Sequence, residues 1–357
     1  MDKPVSLAIC GFGLVGQRHA EAAKAVPGVT VSAVVEPSEA GRATAATQGL
    51  ACHMSLDALF AAGPIDGLIV ATPTPLHVDN TLDAIARGCP VLVEKPLATH
   101  VEAARAIVSA SAQRSVPVLV GHHRRHNPII QAAHDVISRG RIGDVRAVNA
   151  LCWFYKPDAY FDVAPWRKET GAGPVSVNLV HDIDLIRYLC GDVASVSAQA
   201  APSARGYANE DVAAAVLTLA TGAIATITVS DSIVAPWSWE MTSREYPIYP
   251  QTDESCYMIG GSEGGLSLPD LRVWTHKNGQ RDWWTPIAAH PIERGMSDPL
   301  VNQISHFRDV IADGASPLVP AEEGLRTLRV IEAIQTSAAT GQPIHLGAME
   351  ESANAAE

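Results

Sequence analysis

Apolar and polar positions follow two different rhythms along the chain, and the rhythm changes near residue 122. Before that point short apolar runs stop abruptly at glycine, proline or charge: Val5 to Cys10, Val29 to Val35, Asp66 to Ala71, Pro90 to Val93 and Val116 to Val120. Short runs of this kind predict strands buried on both faces. Helical spacing fills the intervals, from Gln17 to about Val26, in the stretch ending near Gly88, and from about Val101 to Gln113. Strands alternating with such helices predict an α/β fold with a doubly wound parallel sheet. A first domain is therefore expected over 1–122.

The second rhythm is slower. Pro128 to Ser138 is helical in pattern, Gly143-Asp144 turns it into a strand from Val145 to Phe154, and Val193–Ala200, Val212–Leu219, Ala223–Val229 and Cys256–Ile259 read as antiparallel strands. Asp298 to Ala312 and Glu322 to Ala338 are again helical. A second α/β domain is expected over 123–348, and the polar tail, 349–357, is expected to fray.

Charge and cysteine usage narrow the function classes. A net charge of −12 argues against general affinity for nucleic acid or anionic membranes. Met1-Asp2-Lys3-Pro4 leads straight into a strand rather than a signal peptide, and no run reaches transmembrane length. Cys10, Cys52, Cys89, Cys152, Cys190 and Cys256 are scattered, as expected for reduced thiols of a cytoplasmic protein.

The candidate chemistry sits where the strands end. After the first strand comes Gly11-Phe12-Gly13-Leu14-Val15-Gly16 and then a helix, the order in which backbone amides and a helix N-terminus cradle a pyrophosphate. The second strand ends in Glu36, twenty residues beyond Gly16, where a carboxylate can accept bonds from the adenine ribose. Glu36 points to NAD. Ser38 and Arg42 just downstream could instead favour the extra phosphate of NADP, so NADP is not excluded. Thr72-Pro73 stops the third strand, and Thr72 and His77 are expected on the rim of the glycine loop; His77 reads equally well as a helix-capping residue.

Pro90 to Val93 leads into Glu94-Lys95-Pro96. A carboxylate and a lysine at the end of an apolar strand need compensation from solvent, ligand or partner, and ligands bind at the carboxyl ends of such strands. Lys95 is the first candidate for proton transfer. The segment His122-His123-Arg124-Arg125-His126 lacks the spacing of a zinc site, so no metal is expected. It reads as a basic stretch meeting phosphate or substrate oxygens, Arg125 foremost, or as a solvated turn. Further on, Trp166-Arg167 precedes Gly171-Ala172-Gly173-Pro174 and a helix carrying Asn178 and His181. Leu179, Ile183, Ile186 and Cys190 form one apolar stripe, with His181 roughly opposite and suited to acid/base work.

Taken together, the glycine loop, the acidic residue after the second strand, Glu94-Lys95-Pro96 and the glycine-led helix bearing His181 resemble the Gfo/Idh/MocA family of oxidoreductases along nearly the whole chain. The resemblance implies a Rossmann domain followed by a C-terminal α/β domain on a large, mostly antiparallel open sheet, with dimers or tetramers formed through that sheet. It implies a cis Lys95–Pro96 peptide. It also carries substrate contact to Lys95 and His181, and places Trp166 and Arg167 beside the nicotinamide. Many members have an aspartate four residues before the histidine; this chain has Val177 there and Asn178 one step later. Asn178 can orient a hydroxyl but cannot take its proton.

The expected activity is NAD(P)-dependent oxidation of a secondary hydroxyl on a sugar, inositol or sugar acid. Trp237, Trp239, Trp283 and Trp284 could pack against a sugar ring, or serve as core or interface. The rival readings are a glycoside hydrolase that oxidises its substrate transiently with tightly held NAD, and a non-catalytic nucleotide sensor. Retention of both Lys95 and His181 argues against the sensor.

Overall fold

The computed structural model describes residues 4–347; the tail expected to fray, 349–357, lies outside them. The chain forms two compact units. One runs up to Asn127 and takes back Ser297–Leu328; the other comprises Pro128–Met296 and continues from Arg329.

In the first unit β1 (Val5–Cys10), β2 (Val29–Val35), β3 (Ala51–His53), β4 (Gly67–Val70), β5 (Val91–Val93) and β6 (Val118–Val120) make one sheet in the order β3-β2-β1-β4-β5-β6. Every neighbouring pair is parallel. The helices between them are α1 (Leu14–Lys24), α2 (Glu39–Thr47), α3 (Leu56–Ala62), α4 (His77–Ala86) and α5 (Val101–Arg114). Leu7, Ile9, Leu68, Ile69 and Val91–Val93 are fully buried, as parallel strands covered on both faces require. Strand order reverses between β1 and β4. In such sheets ligands bind at that switch point, outside the carboxyl ends of the strands, and there Gly11, Glu36, Thr72, Glu94 and Gly121 all follow their strands.

The second unit begins with α6 (Pro128–Ser138) and β7 (Val145–Trp153), followed by α7 (Asp158–Asp162), a π-helical turn at Val175–Leu179, and α8 (Val180–Cys190). Then come β8 (Val193–Pro202), β9 (Glu210–Leu219), β10 (Ile224–Ser230), α9 (Trp239–Thr242), β11 (Tyr257–Gly261), β12 (Gly265–Leu268), β13 (Arg272–His276) and β14 (Ile287–Pro291). With β15 (Ile344–His345), they form a nine-stranded sheet ordered β14-β13-β12-β11-β7-β10-β9-β8-β15. Only β7 and β10 pair in parallel. One face is buried under α6 and α8, with Ile130, Ala133, Ile183 and Ile186 in its core. Strict alternation leaves the other face open, and a row of Val216, Thr226, Asn149 and Met258 runs across β9, β10, β7 and β11 on it.

Two boundaries differ from the sequence reading. The first unit extends to Asn127, and α10 (Pro299–Asp313) belongs to it rather than to the second domain. Leu300, Ile304, Phe307 and Val310 recur at helical spacing and pack among Leu7, Ile9 and Val34. Gly67 on β4 makes room for this, since a Cβ there would lie 3.0 Å from the Phe307 ring. The boundary between Leu328 and Arg329 falls inside α11 (Ala321–Thr340). Among the described residues no helix is long and apolar enough to cross a membrane.

Candidate active site

The glycine loop has the shape a pyrophosphate needs. Gly11 sits at φ +90°, a backbone conformation that favours glycine, and a Cβ there would approach the Ala71 carbonyl oxygen to 2.7 Å. A Cβ on Gly16 would collide with the Gly11 carbonyl, so Gly16 lets α1 pack close against the loop. Gly13 is the N-cap of α1, no side chain caps that end, and its first turn contains no acid. A Cβ on Gly13 would meet nothing within 4 Å. The helix end thus presents unmatched N–H groups and positive dipole to an open space beside Gly13, and Leu14 and Val15 are exposed there. Gly13→Val should therefore fold and fill the phosphate position. NAD affinity by calorimetry is expected to fall at least tenfold, about 1.4 kcal/mol; unchanged affinity would remove the cofactor assignment.

Glu36 is buried after β2. Its Oε2 accepts from the Phe12 amide and its Oε1 from the Ser38 amide, both at 2.8 Å. Burial pushes this carboxyl up, but the bonds from Ser38 and Phe12 and the nearby Arg42 outweigh it and hold the group below the usual range. The site therefore offers a fixed negative charge. Ser38 spends its hydroxyl capping α2, where it accepts from the Gly41 amide at 3.1 Å, and the Arg42 guanidinium donates to the Pro37 carbonyl.

After β5, Glu94 anchors a cluster the sequence reading only half found. Its Oε1 is 2.8 Å from Nε2 of His19 on α1, and its Oε2 accepts from the Lys95 amide at 3.1 Å. Burial raises this carboxyl, yet the bond and charge of His19, with Lys95 and His123, bring it down to about 2. Glu94 is thus ionised at any working pH. His19 was missed, although Gly16, His19, Ala20 and Ala23 share one buried face of α1 and mark it as a core histidine needing a partner. Lys95 follows on the same edge as the glycine loop, and the Lys95–Pro96 peptide is cis.

His77, expected either on the rim or as a cap, opens α4 without capping it by a side-chain bond. Its ring lies between two backbone carbonyls, of Pro96 and Thr72. The Thr72 hydroxyl accepts from Asn80 at 3.2 Å. Arg125 is neither exposed nor part of a solvated turn: it is buried and paired with Glu323 at 2.9 Å. His126 stacks edge-on to His306. Among the described residues no group of three or more His, Cys, Asp or Glu could hold a metal ion.

In the second unit α8 is buried on every face, so His181, although it lies roughly opposite the apolar stripe, also sits in a packed environment. Its neighbour Asp182 accepts from the Tyr257 hydroxyl. The π-helical turn just before it carries Asn178, and such turns recur at functional sites. The Asn178 Oδ1 accepts from Lys156 Nζ at 2.7 Å. Lys156 is itself buried, 3.3 Å from Asp231 and over the rings of Tyr160 and Phe154. Arg205 donates to the other Asp231 oxygen at 2.9 Å. Because an ammonium only donates, Lys156 fixes the Asn178 amide with its oxygen inward and its NH₂ as the remaining donor. Neither Lys156 nor Asp231 carried a sequence signal beyond following its strand.

Trp166 is exposed, while Arg167 donates to the Tyr160 carbonyl at 2.6 Å and stacks 3.9 Å over the Tyr160 ring. Glu210 accepts from the Val175 amide at 3.1 Å, and burial raises its carboxyl. Of the tryptophans, Trp239 is core, Trp237 packs edge-on to Trp153, and Trp283 and Trp284 are exposed.

Comparison with known proteins agrees with this anatomy. Residues 5–122 match an oxidoreductase family with an NAD-binding Rossmann fold, and residues 130–267 match the GFO/IDH/MocA C-terminal domain. The chain is 28% identical to D-apiose dehydrogenase of Paraburkholderia graminis, over 98% of this chain and 91% of that protein. It is 27% identical to inositol 2-dehydrogenase of Rhizobium meliloti, over 96% and 99%. An oxidoreductase from Agrobacterium radiobacter, solved with NAD+, L-tartaric acid and magnesium, superposes with a TM-score of 0.83 at 22% identity, covering 97% of this chain and 100% of that one. The chain belongs to the Gfo/Idh/MocA family of oxidoreductases, with an NAD-binding Rossmann domain followed by the family's C-terminal domain.

Proposed function

We propose that this protein is an NAD-dependent dehydrogenase that oxidises a secondary hydroxyl of a sugar, inositol or sugar-acid ring. The observation that carries the reading is Lys95 at the carboxyl end of β5, on the sheet edge that also bears the glycine loop and Glu36. When bound, the nicotinamide accepts the hydride. The chain supplies the rest. Lys95 takes the hydroxyl proton, His181 shares or relays it, and the Asn178 NH₂, aimed by Lys156, donates to a substrate oxygen. Arg125 meets substrate oxygens while keeping its Glu323 partner; Trp166 and Arg167 flank the nicotinamide. The names of the apiose and inositol dehydrogenases among its relatives support a polyhydroxylated substrate. The row of Val216, Thr226, Asn149 and Met258 on the open sheet face supports assembly of two or four copies through that face.

The reading predicts that a panel of sugars, inositols and sugar acids yields reduced cofactor with NAD in preference to NADP. Glu36→Ala should erode that preference by removing the ribose acceptor and the repulsion of a 2′-phosphate together. A wild type with higher kcat/KM for NADP would overturn the cofactor choice. Retained NAD with glycoside cleavage and no net reduction would replace the dehydrogenase by the hydrolase.

A further inference from the structure

His77 is 1% exposed, and each of its ring nitrogens faces a backbone carbonyl oxygen: Nδ1 is 2.8 Å from that of Pro96, and Nε2 is 2.9 Å from that of Thr72. A carbonyl oxygen can only accept. A neutral imidazole has one N–H, so it satisfies one carbonyl and turns a lone pair toward the other at hydrogen-bond distance. Both contacts are attractive only when the ring carries both protons.

We propose that His77 is a proton-dependent clamp: the imidazolium ties the segment after β4 to the carbonyl of Pro96, the residue after Lys95, and the neutral ring releases one of the two. The segments it joins are the ones that follow adjacent parallel strands, β4 and β5, at the edge where cofactor and substrate chemistry is placed. The clamp itself needs only the first unit; its role as a positioning device for Lys95 rests on the function proposed above.

The charged groups that act on the ring come from the end of β5. Glu94, ionised and bonded to His19 of α1, favours the imidazolium, and Lys95 opposes it. The segment from Thr72 to Leu76 brings no charged side chain. Burial, the largest influence, disfavours the charge, the two carbonyls favour it, and the ring ends below the ordinary histidine value. The clamp therefore closes as pH falls below that value. The repulsion between the two cations is mutual, so a proton on His77 disfavours one on Lys95.

The test uses the full-length protein, with no substrate, labelled with ¹⁵N in histidine rings and ¹³C in backbone carbonyls. Long-range ¹H–¹⁵N correlation reads the protonation of each ring nitrogen against pH, with His77 assigned by its absence in His77→Gln. We expect both His77 nitrogens to become N–H on acidification. The Thr72 and Pro96 carbonyl shifts should follow with the same midpoint. Hydrogen exchange, corrected for intrinsic rates, covers the case in which His77→Gln does not fold: in the wild type, protection of 72–76 and 94–98 should drop about tenfold above the midpoint, the worth of one charge-assisted bond. Carbonyls and exchange that ignore the ring's titration would overturn the clamp, as would a ring with a single N–H at every pH where the protein is folded. Failure of the proposed dehydrogenase activity would leave these signals untouched, so the two ideas fail separately.

Discussion

Lys95→Met is expected to lower kcat by about 10²–10⁴-fold, the usual contribution of a positioned base. Oxidising an alcohol removes a hydride and a proton, and the nicotinamide accepts only the hydride. Methionine keeps a similar apolar stem but can neither accept nor donate the proton. NAD affinity should change little, because the glycine loop, the uncapped N-terminus of α1 and the Glu36 carboxylate remain in place. His181→Ala should also lose activity, and the double variant should lose less than the product of the two, since groups that share one proton act as a unit. A structural Lys95 predicts a different pattern, with lost folding rather than lost rate. Near-normal kcat in a folded Lys95→Met protein, on a substrate whose chemical step limits turnover, would sink the mechanism.

The first unit was legible wherever local signals coincide with tertiary ones. The strand–glycine–helix order, Glu36 and Glu94-Lys95-Pro96 each state their chemistry within a few residues, and parallel strands advertise burial by unbroken apolar runs. The short β3 was not foreseen, because Ala51-Cys52-His53 has too little pattern to announce a strand. Nor was the return of α10 to the first unit. Its apolar stripe shows that it packs, but not against what, and its partners on β1 lie almost three hundred residues away in sequence. Polar partnerships were hidden for the same reason. His19 meets Glu94, Lys156 meets Asn178 and Asp231, and Arg125 meets Glu323 across long separations that periodicity cannot bridge. His181 shows a subtler limit. Its position opposite one apolar stripe marked it for acid/base chemistry, but a single stripe does not tell how the rest of a central helix is covered, and α8 is covered on all sides.

Glu94 offers the strongest test of how the site is held together. Its carboxylate is 14% exposed and 2.8 Å from the His19 ring, and it also accepts from the Lys95 amide. Burial alone would raise its pKa; the His19 bond and the surrounding cations reverse this and place it at about 2, against an ordinary 4.5. A carboxyl whose pKa is lower in the folded state stabilises the fold fully above its unfolded value. That stabilisation is lost as pH falls from about 4.5 through 2. The difference amounts to a few kcal/mol at neutral pH, with roughly half or more gone by pH 3. Glu94→Gln keeps the shape and an acceptor for His19 but removes the charge. It is expected to destabilise the protein by a few kcal/mol at pH 7, measured by denaturant unfolding, and by roughly half of that or less at pH 3, because the wild type has by then lost a matching share of the contribution. If the cost of Glu94→Gln is the same at both pH values, the carboxylate is held by shape rather than charge, and the electrostatic account of the Lys95 edge fails with it.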